Sequence, residues 1–599
     1  MSAEVPPEGP VGTLGEPAAE PTNHGYPAPG DTLSITQRIA LRPLPEPGFS
    51  PVRMHPRQGS IGDVELFRFD RIGEEDAREA LAPVFRLTPG ADNPPIVFRL
   101  DPGIPEPYRS AILNGANWWR EVFEAIGQPD FYRVEVCPEG EDLFDPRYGT
   151  IAWTHRLDRG WAFGAIHTDP RTGEIIKGCV SLGSKRIEDV RTLAQAILGE
   201  ADARRDEVEA IVLQRVEEVA AHEVGHTFGF QHNLASHCHS VPSVMDYLSP
   251  VFDVTDDGRV VSGDAQSPGQ SYGNKLGPWD HWLVKALYAP QLLDSATAPG
   301  GVDDVLTYTS NEDSRHDYMA DASGGRWHAP GRPLESFARI VRVRQVALAR
   351  FSASSAPAGE DSNEIQRRFR LLYLIHRYQV VSVIKAVGGT VRKYAQAGET
   401  TPDGRFAGEW SPVPEEDQLE ALRAVVDLLS PEFLEVPAHV DPLLVPPSGG
   451  VSEKPGGFEN RFAGMVDIPS IVQSGADVIL GPLLTPERLG RVVEQSTVVL
   501  HELLDQTVRK ALRVLDDAAA RVDGSNDVAT LIAWAVIGRF KNSITSPLLH
   551  AHARFAILLH LEDVEVSSRL LQKKWDAVID AALNLEDTPV VPPPGKFIL

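Results

Sequence analysis

"AHEVGHTFGFQH" runs from Ala221 to His232. Its three histidines, one glutamate and two glycines pose a choice between an ordinary helix and a metal centre. Upstream, apolar residues recur at Val208, Val212, Val216 and Val219, the spacing of one inward helical stripe. Further helical steps along that stripe arrive at His222 and His226. The two imidazoles therefore stand one turn apart on the buried face and can reach the same ion. Zinc accepts neutral imidazole nitrogens at ~2.0–2.1 Å, and catalytic zinc sites keep one position for water. Glu223 lies one residue round the helix. It is too displaced to be a third helical ligand and well placed beside that water.

Gly229 explains how a third ligand arrives. The chain must leave the helix there and turn back, and glycine accepts the left-handed conformation that ends helices. Three residues later comes His232, which completes HExxHxxGxxH. The offsets point to one catalytic Zn2+ held by His222, His226 and His232, with Glu223 acting on water. Gly225, inside the helix, costs about 1 kcal/mol against alanine. Its presence predicts the close approach of another chain segment.

Bulk properties narrow the function classes. The net charge of −27 argues against nucleic acid, which calls for a basic footprint. Three cysteines, Cys137, Cys179 and Cys238, make no disulfide framework, and one pair at most could form. The N-terminus lacks a basic segment followed by an apolar core, so no secretory signal is expected, and the expected location is the cytoplasm unless another export route serves the chain. "VATLIAWAVIGRF" (528–540) and "LLYLIHRYQVVSVIKAV" (371–387) read as buried helices, and no membrane span is expected.

Along the chain, "DVELFRF" (63–69), "PPIVFRLD" (94–101), "YRVEVC" (132–137) and "GTIAWTHR" (149–156) read as strands. "PEPYRSAILNGANWWREVFEAIG" reads as a helix opened by proline and closed by Gly127. "WAFGAIHTDPRTGEIIKGCVSLG" reads as a hairpin with its tip at Asp169–Gly173. A long helical tract is expected from about Ile187 to Phe228. After about Gly300 an acidic connector, "DDVLTYTSNEDSRHDYMADASGG", leads into a region of helical periodicity that "VPPSGGVSEKPGG" interrupts.

Beyond the histidines comes "SVMDY", Ser243 to Tyr247. HExxHxxGxxH followed by this stretch resembles the zinc signature and Met-turn of the metzincin proteases. That resemblance implies Met245 as an apolar floor beneath the three histidines. It also implies that Tyr247 binds zinc in the absence of substrate and swings to stabilise the oxyanion. The order of "PPIVFRLDPGIPEPYRSAILNGANWWREVFEAIG", "DPRTGEII", "HEVGHTFGFQHN", "SVMDY" and "LGPWDHWLVKALY" is similar to that of the bacterial met-zincin zinc metalloproteases, with a helical C-terminal extension. The similarity covers roughly residues 40 to 590. The chain departs from the larger members in lacking an export signal and much of their N-terminal region.

The resemblance implies an α+β fold. A metzincin-like catalytic domain, made of a mixed twisted sheet and a long zinc-binding helix, precedes an all-α C-terminal domain. The expected boundaries are a Pro/Gly-rich, disordered tail over 1–50, an N-terminal remnant over 51–92, the zinc protease domain over 93–300, the connector over 301–332 and the helical domain over 333–599. The expected activity is hydrolysis of peptide bonds in a peptide or protein substrate, with "WAFGAIH" as the candidate sheet edge that pairs with it. The rival expectations are a zinc-containing scaffold without turnover and a zinc hydrolase of a non-peptide amide.

Several features read as decoys. His237, Cys238 and His239 alternate in a polar loop. "HELLD" (501–505) sits in a periodic helix without a third ligand. His550 and His552 fall on different helix faces, and "DVTDDGRV" (253–260) reads as a turn. Trp118 and Trp119 read as helix-to-sheet packing.

Overall fold

Gly199 and Glu200 divide the tract that reads as one helix from Ile187 to Phe228. Both adopt positive φ, 66° and 46°. Helical hydrogen bonding stops there, and two helices result, Lys185–Leu198 and Arg205–Thr227. The apolar periodicity runs through the break because both helices cover the same core.

The computed structural model describes residues 39–62, 64–67, 78–87, 95–155, 161–239, 241–264, 267–270, 272–293, 307–328, 330–401, 403–445, 458, 461–462, 465–521 and 527–584. Most of the expected N-terminal tail, the start of the connector and most of the Pro/Gly break at 445–457 lie outside the described residues. Residues Glu46–Leu599 belong to one unit.

Three short strands, β1 (Val52–Arg53), β2 (Val64–Phe67) and β3 (Arg78–Ala82), form an antiparallel sheet in the order β1-β3-β2. Then come β4 (Ile96–Leu100), helices α1 (Tyr108–Ala116) and α2 (Trp119–Ala125), and strands β5 (Tyr132–Val136), β6 (Gly149–Thr154), β7 (Phe163–Thr168) and β8 (Ile175–Gly183). The two helices of the divided tract follow as α3 (Lys185–Leu198) and α4 (Arg205–Thr227). The main sheet has the order β5-β4-β6-β8-β7. Its first four strands run parallel, and β7 runs antiparallel to β8 at the edge. The hairpin tip at Asp169–Gly173 closes where expected, with the Asp169 carboxylate accepting the Arg171 N–H at 2.9 Å.

The tryptophan pair divides the expected helix at Asn117–Trp118. The indole N–H of Trp118 donates to Glu217 Oε1 (3.0 Å), and that of Trp119 donates to the Ala221 carbonyl (2.8 Å). Both rings therefore dock on α4, which corrects the expectation of helix-to-sheet packing. Around the end of α4, Phe228 meets Phe123 and Tyr132 with ring centroids 5.1 and 5.0 Å apart. This aromatic cluster is apolar surface removed from water, the main favourable term in folding, and it anchors the C-terminal end of α4.

Past α5 (Pro278–Tyr288) and the short α6 (Asn311–Ser314), the chain is mainly helical, beginning with α7 (Pro333–Arg350), α8 (Ser362–Tyr373) and α9 (Arg377–Ile384). A hairpin of Thr390–Lys393 with Glu409–Pro412 interrupts the helices. Ile340 and Val343 of α7 and Phe369 of α8 join the same core as the sheet and α4. A second apolar core gathers Val380, Leu422, Ile479, Leu503 and Phe540. Both apolar stretches expected as buried helices contribute to these cores through Leu372, Val383, Ile532 and Val536.

Among the described residues no single helix is long and apolar enough to cross a membrane. One bent pair, Ile468–Leu483 with Pro486–Gln495, passes on length and composition, and its Val472, Ile479, Leu483 and Leu489 are buried in the second core.

Helix α1 presses tightly on α4 at Gly115. A Cβ there would lie 1.9 Å from the Glu217 carbonyl oxygen. Gly115→Ala must push two helices apart, and overpacking of this kind costs about 1–3 kcal/mol. Urea unfolding should show that loss; an unchanged midpoint would place the helices further apart than described.

Candidate metal centre

The C-terminus of α4 has a Schellman arrangement. The Phe230 N–H donates to the Gly225 carbonyl (3.3 Å) and the Gly229 N–H to the His226 carbonyl (3.0 Å). Gly229 has φ 87°, and a Cβ there would lie 2.0 Å from the Pro83 carbonyl oxygen. Glycine is thus required by dihedral and by crowding. The residues after it are braced by the N-terminal segment. The Ile61 N–H donates to the Gly229 carbonyl (2.9 Å), and the Gln231 N–H donates to the Gly59 carbonyl (2.8 Å).

This turn carries His232 back over α4. The Nε2 atoms of His222, His226 and His232 form a triangle, each 3.2 Å from the other two. Nδ1 of His222 donates to the Val244 carbonyl (2.7 Å), and Nδ1 of His226 donates to the Phe230 carbonyl (2.8 Å). Carbonyls cannot donate, so the ring protons of His222 and His226 sit on Nδ1. Their two Nε2 lone pairs therefore face each other with no proton between them. Burial pushes His226 down to about 4, and burial first, then the neighbouring ring charges, holds His222 and His232 well below the usual imidazole value. Neutral, converging lone pairs are the donor set of a borderline-soft cation. Tetrahedral zinc bound at ~2.0–2.1 Å sets ligand nitrogens about 3.3 Å apart, close to this triangle. Among the described residues the triad is the one group of three or more His, Cys, Asp or Glu side chains close enough to share an ion.

Glu223 is buried beside the triad. Burial pushes its carboxyl up to about 8, opposed by the Arg186 charge, an N–H bond from Gly164 and the Arg215 charge. Gly164 belongs to β7, and a Cβ there would lie 2.2 Å from the Glu223 carbonyl oxygen and 2.8 Å from His226 Cβ. The edge strand thus crosses directly over α4 at the site, and glycine permits the crossing.

Met245 is fully buried. Its Sδ would lie 2.4 Å from a Cβ at Gly225, where Trp119 also presses in at 2.7 Å. The segment whose approach Gly225 allows is therefore the one that carries Met245. Tyr247 stacks beside the histidines, with ring centroids 4.3 Å from His232 and 5.5 Å from His222. Trp327 covers the outer side of Tyr247 at 5.3 Å and has φ 62°, a left-handed conformation that costs a side chain about 1–2 kcal/mol. The Arg215 guanidinium stacks behind Trp327 at 5.4 Å and is ion-paired with Glu218.

Asp280 lies outside the expected site yet positions it. Its buried carboxylate accepts Ser243 Oγ (2.5 Å), the Val244 N–H (3.1 Å) and the Gly277 N–H (2.7 Å). It therefore fixes the peptide whose carbonyl orients His222. Asp246 does similar work nearby, accepting Ser236 Oγ (2.9 Å) and the Tyr247 N–H (2.7 Å). The expected connector also builds the site. The Leu234 N–H donates to the Thr309 carbonyl and the Gly325 N–H to the Leu234 carbonyl, both at 3.1 Å. Trp327 thereby comes to lie over Tyr247, beside the triad. In the sequence, Asp280 shows only as a helix-capping residue three positions after Gly277, and nothing there marks Trp327.

The decoys stay apart from the triad. His501 is exposed, and Glu502 pairs with Arg423 at 3.1 Å. His550 precedes its helix as the cap, so its ring stacks on His552 at 5.7 Å instead of pointing to another face. His237 is buried against His328 at 4.2 Å, and residues 253–260 form a hairpin turn. The three cysteines are unpaired.

The sequence model of a family described as Met-zincin matches residues 204–519, more than half of the 599-residue chain. The chain belongs to the met-zincin family. The match opens at the start of α4 and takes in the triad, Met245, Asp280 and most of the C-terminal helices of this met-zincin. The comparisons match no curated protein and no solved structure. Family and triad together make this a zinc metallopeptidase-like fold.

Outer partners that orient metal-bound histidines are typically worth ~10–100-fold in affinity. Asp280→Ala should therefore raise the zinc dissociation constant by that factor in a chelator competition, although the residue touches no ligand directly. An unchanged constant would show that Val244 holds its place without Asp280.

Proposed function

We propose that this met-zincin is a zinc-dependent endopeptidase. The observation that carries the reading is the Nε2 triangle with Glu223 buried beside it, both directly beneath an exposed sheet edge. Zinc at the triad would supply Lewis acidity to the scissile carbonyl and lower the pKa of the attacking water. His222, His226 and His232 hold it, and their Nδ1 partners keep the rings turned inward. Glu223 takes a proton from the water as it attacks and returns it to the leaving amine. Burial holds Glu223 at about 8 even against the Arg186 and Arg215 charges, and the charge of a zinc ion at the triad would lower it toward the range of a base near neutral pH.

The substrate lies extended along β7, its main chain pairing with the free edge. Phe163, Ala165 and His167 are exposed along that strand, so its outer side is open to a peptide. Met245 packs under the helix as the apolar floor that limits ligand movement. Tyr247, held between His232 and Trp327, presents its hydroxyl to the developing oxyanion.

Glu223→Gln should keep stoichiometric zinc and lower cleavage of an unfolded protein substrate by ~10²–10⁴-fold. Cleavage at the wild-type rate would sink the base assignment. His232→Ala should lose zinc on dialysis, and a chelator should abolish wild-type cleavage. A zinc-loaded wild-type chain that cleaves no peptide or protein would overturn the peptidase reading.

A further inference from the structure

Tyr247 is enclosed by a residue 80 positions later in the chain. Leu248 and His328 form a parallel bridge, and the Ser249 N–H donates to the His328 carbonyl (2.7 Å). Tyr247 and Trp327 are therefore neighbours on two paired segments. Their rings stack at 5.3 Å with planes 26° apart. The inner side of Tyr247 meets His232 at 4.3 Å and His222 at 5.5 Å. Its backbone N–H is held by the Asp246 carboxylate (2.7 Å). Rotation about χ1 would have to drive the phenol through one of its stacked neighbours.

Trp327 is itself braced. The Arg215 guanidinium lies 5.4 Å from its ring and Tyr378 of α9 lies 6.2 Å from it. The Gln379 amide donates both to the Trp327 carbonyl (3.3 Å) and to Ser249 Oγ (3.0 Å), so one side chain ties the two paired segments to α9. Trp327 keeps a φ of 62° in this setting, and strained residues cluster where a fixed geometry serves a site. The position of the hydroxyl follows from the triad. A fourth ligand of a tetrahedral ion lies about as close to each Nε2 as those nitrogens lie to one another. Among the described residues, no hydrogen bond joins the Tyr247 hydroxyl to a triad nitrogen. It stands beside the metal position, not in it.

We infer that Trp327 is a positioning residue that fixes Tyr247 as a stationary hydroxyl beside the metal position, in place of the swinging ligand that the metzincin resemblance implies. A stationary donor needs no rearrangement when charge develops on the substrate oxygen, which is the property of a preorganised oxyanion site. The task given to the hydroxyl rests on the peptidase reading above. The position of the ring does not, and the metal alone can report it.

Cu2+ is the metal for the test, because it binds nitrogen sites more tightly than zinc and a phenolate ligand gives it an intense visible absorption. The full chain loaded with one equivalent of Cu2+ should show no phenolate band. Trp327→Ala should show it, and the same variant carrying Tyr247→Phe should not. Trp327→Phe, which keeps a flat ring on Tyr247, should stay without it. A band in the wild-type chain, or none in Trp327→Ala, overturns the inference. Should Trp327→Ala fail to hold copper, Trp327→Leu, which fills the space without a stacking face, is read in its place. In the zinc-loaded chain, Tyr247→Phe should lower kcat about 10²–10³-fold, the loss typical of one oxyanion donor. Trp327→Ala should lose a similar factor with KM little changed, and the double variant should lose no more than Tyr247→Phe alone. Losses that multiply would show Trp327 acting by another route and overturn the inference. If no peptide or protein is cleaved, the peptidase reading fails separately, and the copper spectra still decide the position of Tyr247.

Discussion

Imidazole lone pairs that point at one another repel, and this met-zincin holds three such nitrogens in a triangle of 3.2 Å sides. Most of the architecture around the site can be traced to holding them there. His222 needs the Val244 carbonyl, and Val244 needs Asp280. His226 needs the Phe230 carbonyl, which the Schellman turn at Gly229 supplies. His232 needs the chain to reverse, and the segment around Gly59 and Pro83 shapes that reversal. A cation in the triangle relieves the repulsion all these contacts resist, so its binding free energy contributes to the stability of the whole assembly.

Much of this was legible in the chain because helical periodicity and fixed offsets are local. The stripe from Val208 to Val219 does run into His222 and His226, and all six residues are buried. Gly225 does mark a close approach, and β7 does lie at the sheet edge. What escaped was non-local. Apolar periodicity cannot report a break such as Gly199–Glu200 when both helices face one core. Side-chain chemistry does not say which element a tryptophan meets, and Trp118 and Trp119 meet α4. Asp280 and Trp327 lie 48 and 95 positions beyond His232, and Pro83 lies before the main sheet, so no short pattern records them.

The region after residue 300 shows the same limit. Acidic composition reads as a solvated connector, yet Thr309 and Gly325 bond to the loop that follows His232. Trp327, at the end of that stretch, takes a left-handed backbone to lie over Tyr247. A strained residue persists only where its surroundings over-determine it. Here those surroundings include the Arg215 guanidinium on one side and Gln379 of α9, whose amide donates to the Trp327 carbonyl at 3.3 Å, on the other. The helical region is thus a wall of the metal centre as well as a separate core.

Charge placement on α3 and α4 sets the state of the carboxyl beside the triad. Burial pushes Glu223 up to about 8 even against the Arg186 and Arg215 charges, a poor state for a base at neutral pH. Those two charges oppose burial unequally, Arg186 more than Arg215. Arg215 is ion-paired with Glu218, whereas Arg186 Nε has no hydrogen-bond partner among the described residues. A cation held by the triad would add the positive charge that brings Glu223 down into the range of a base.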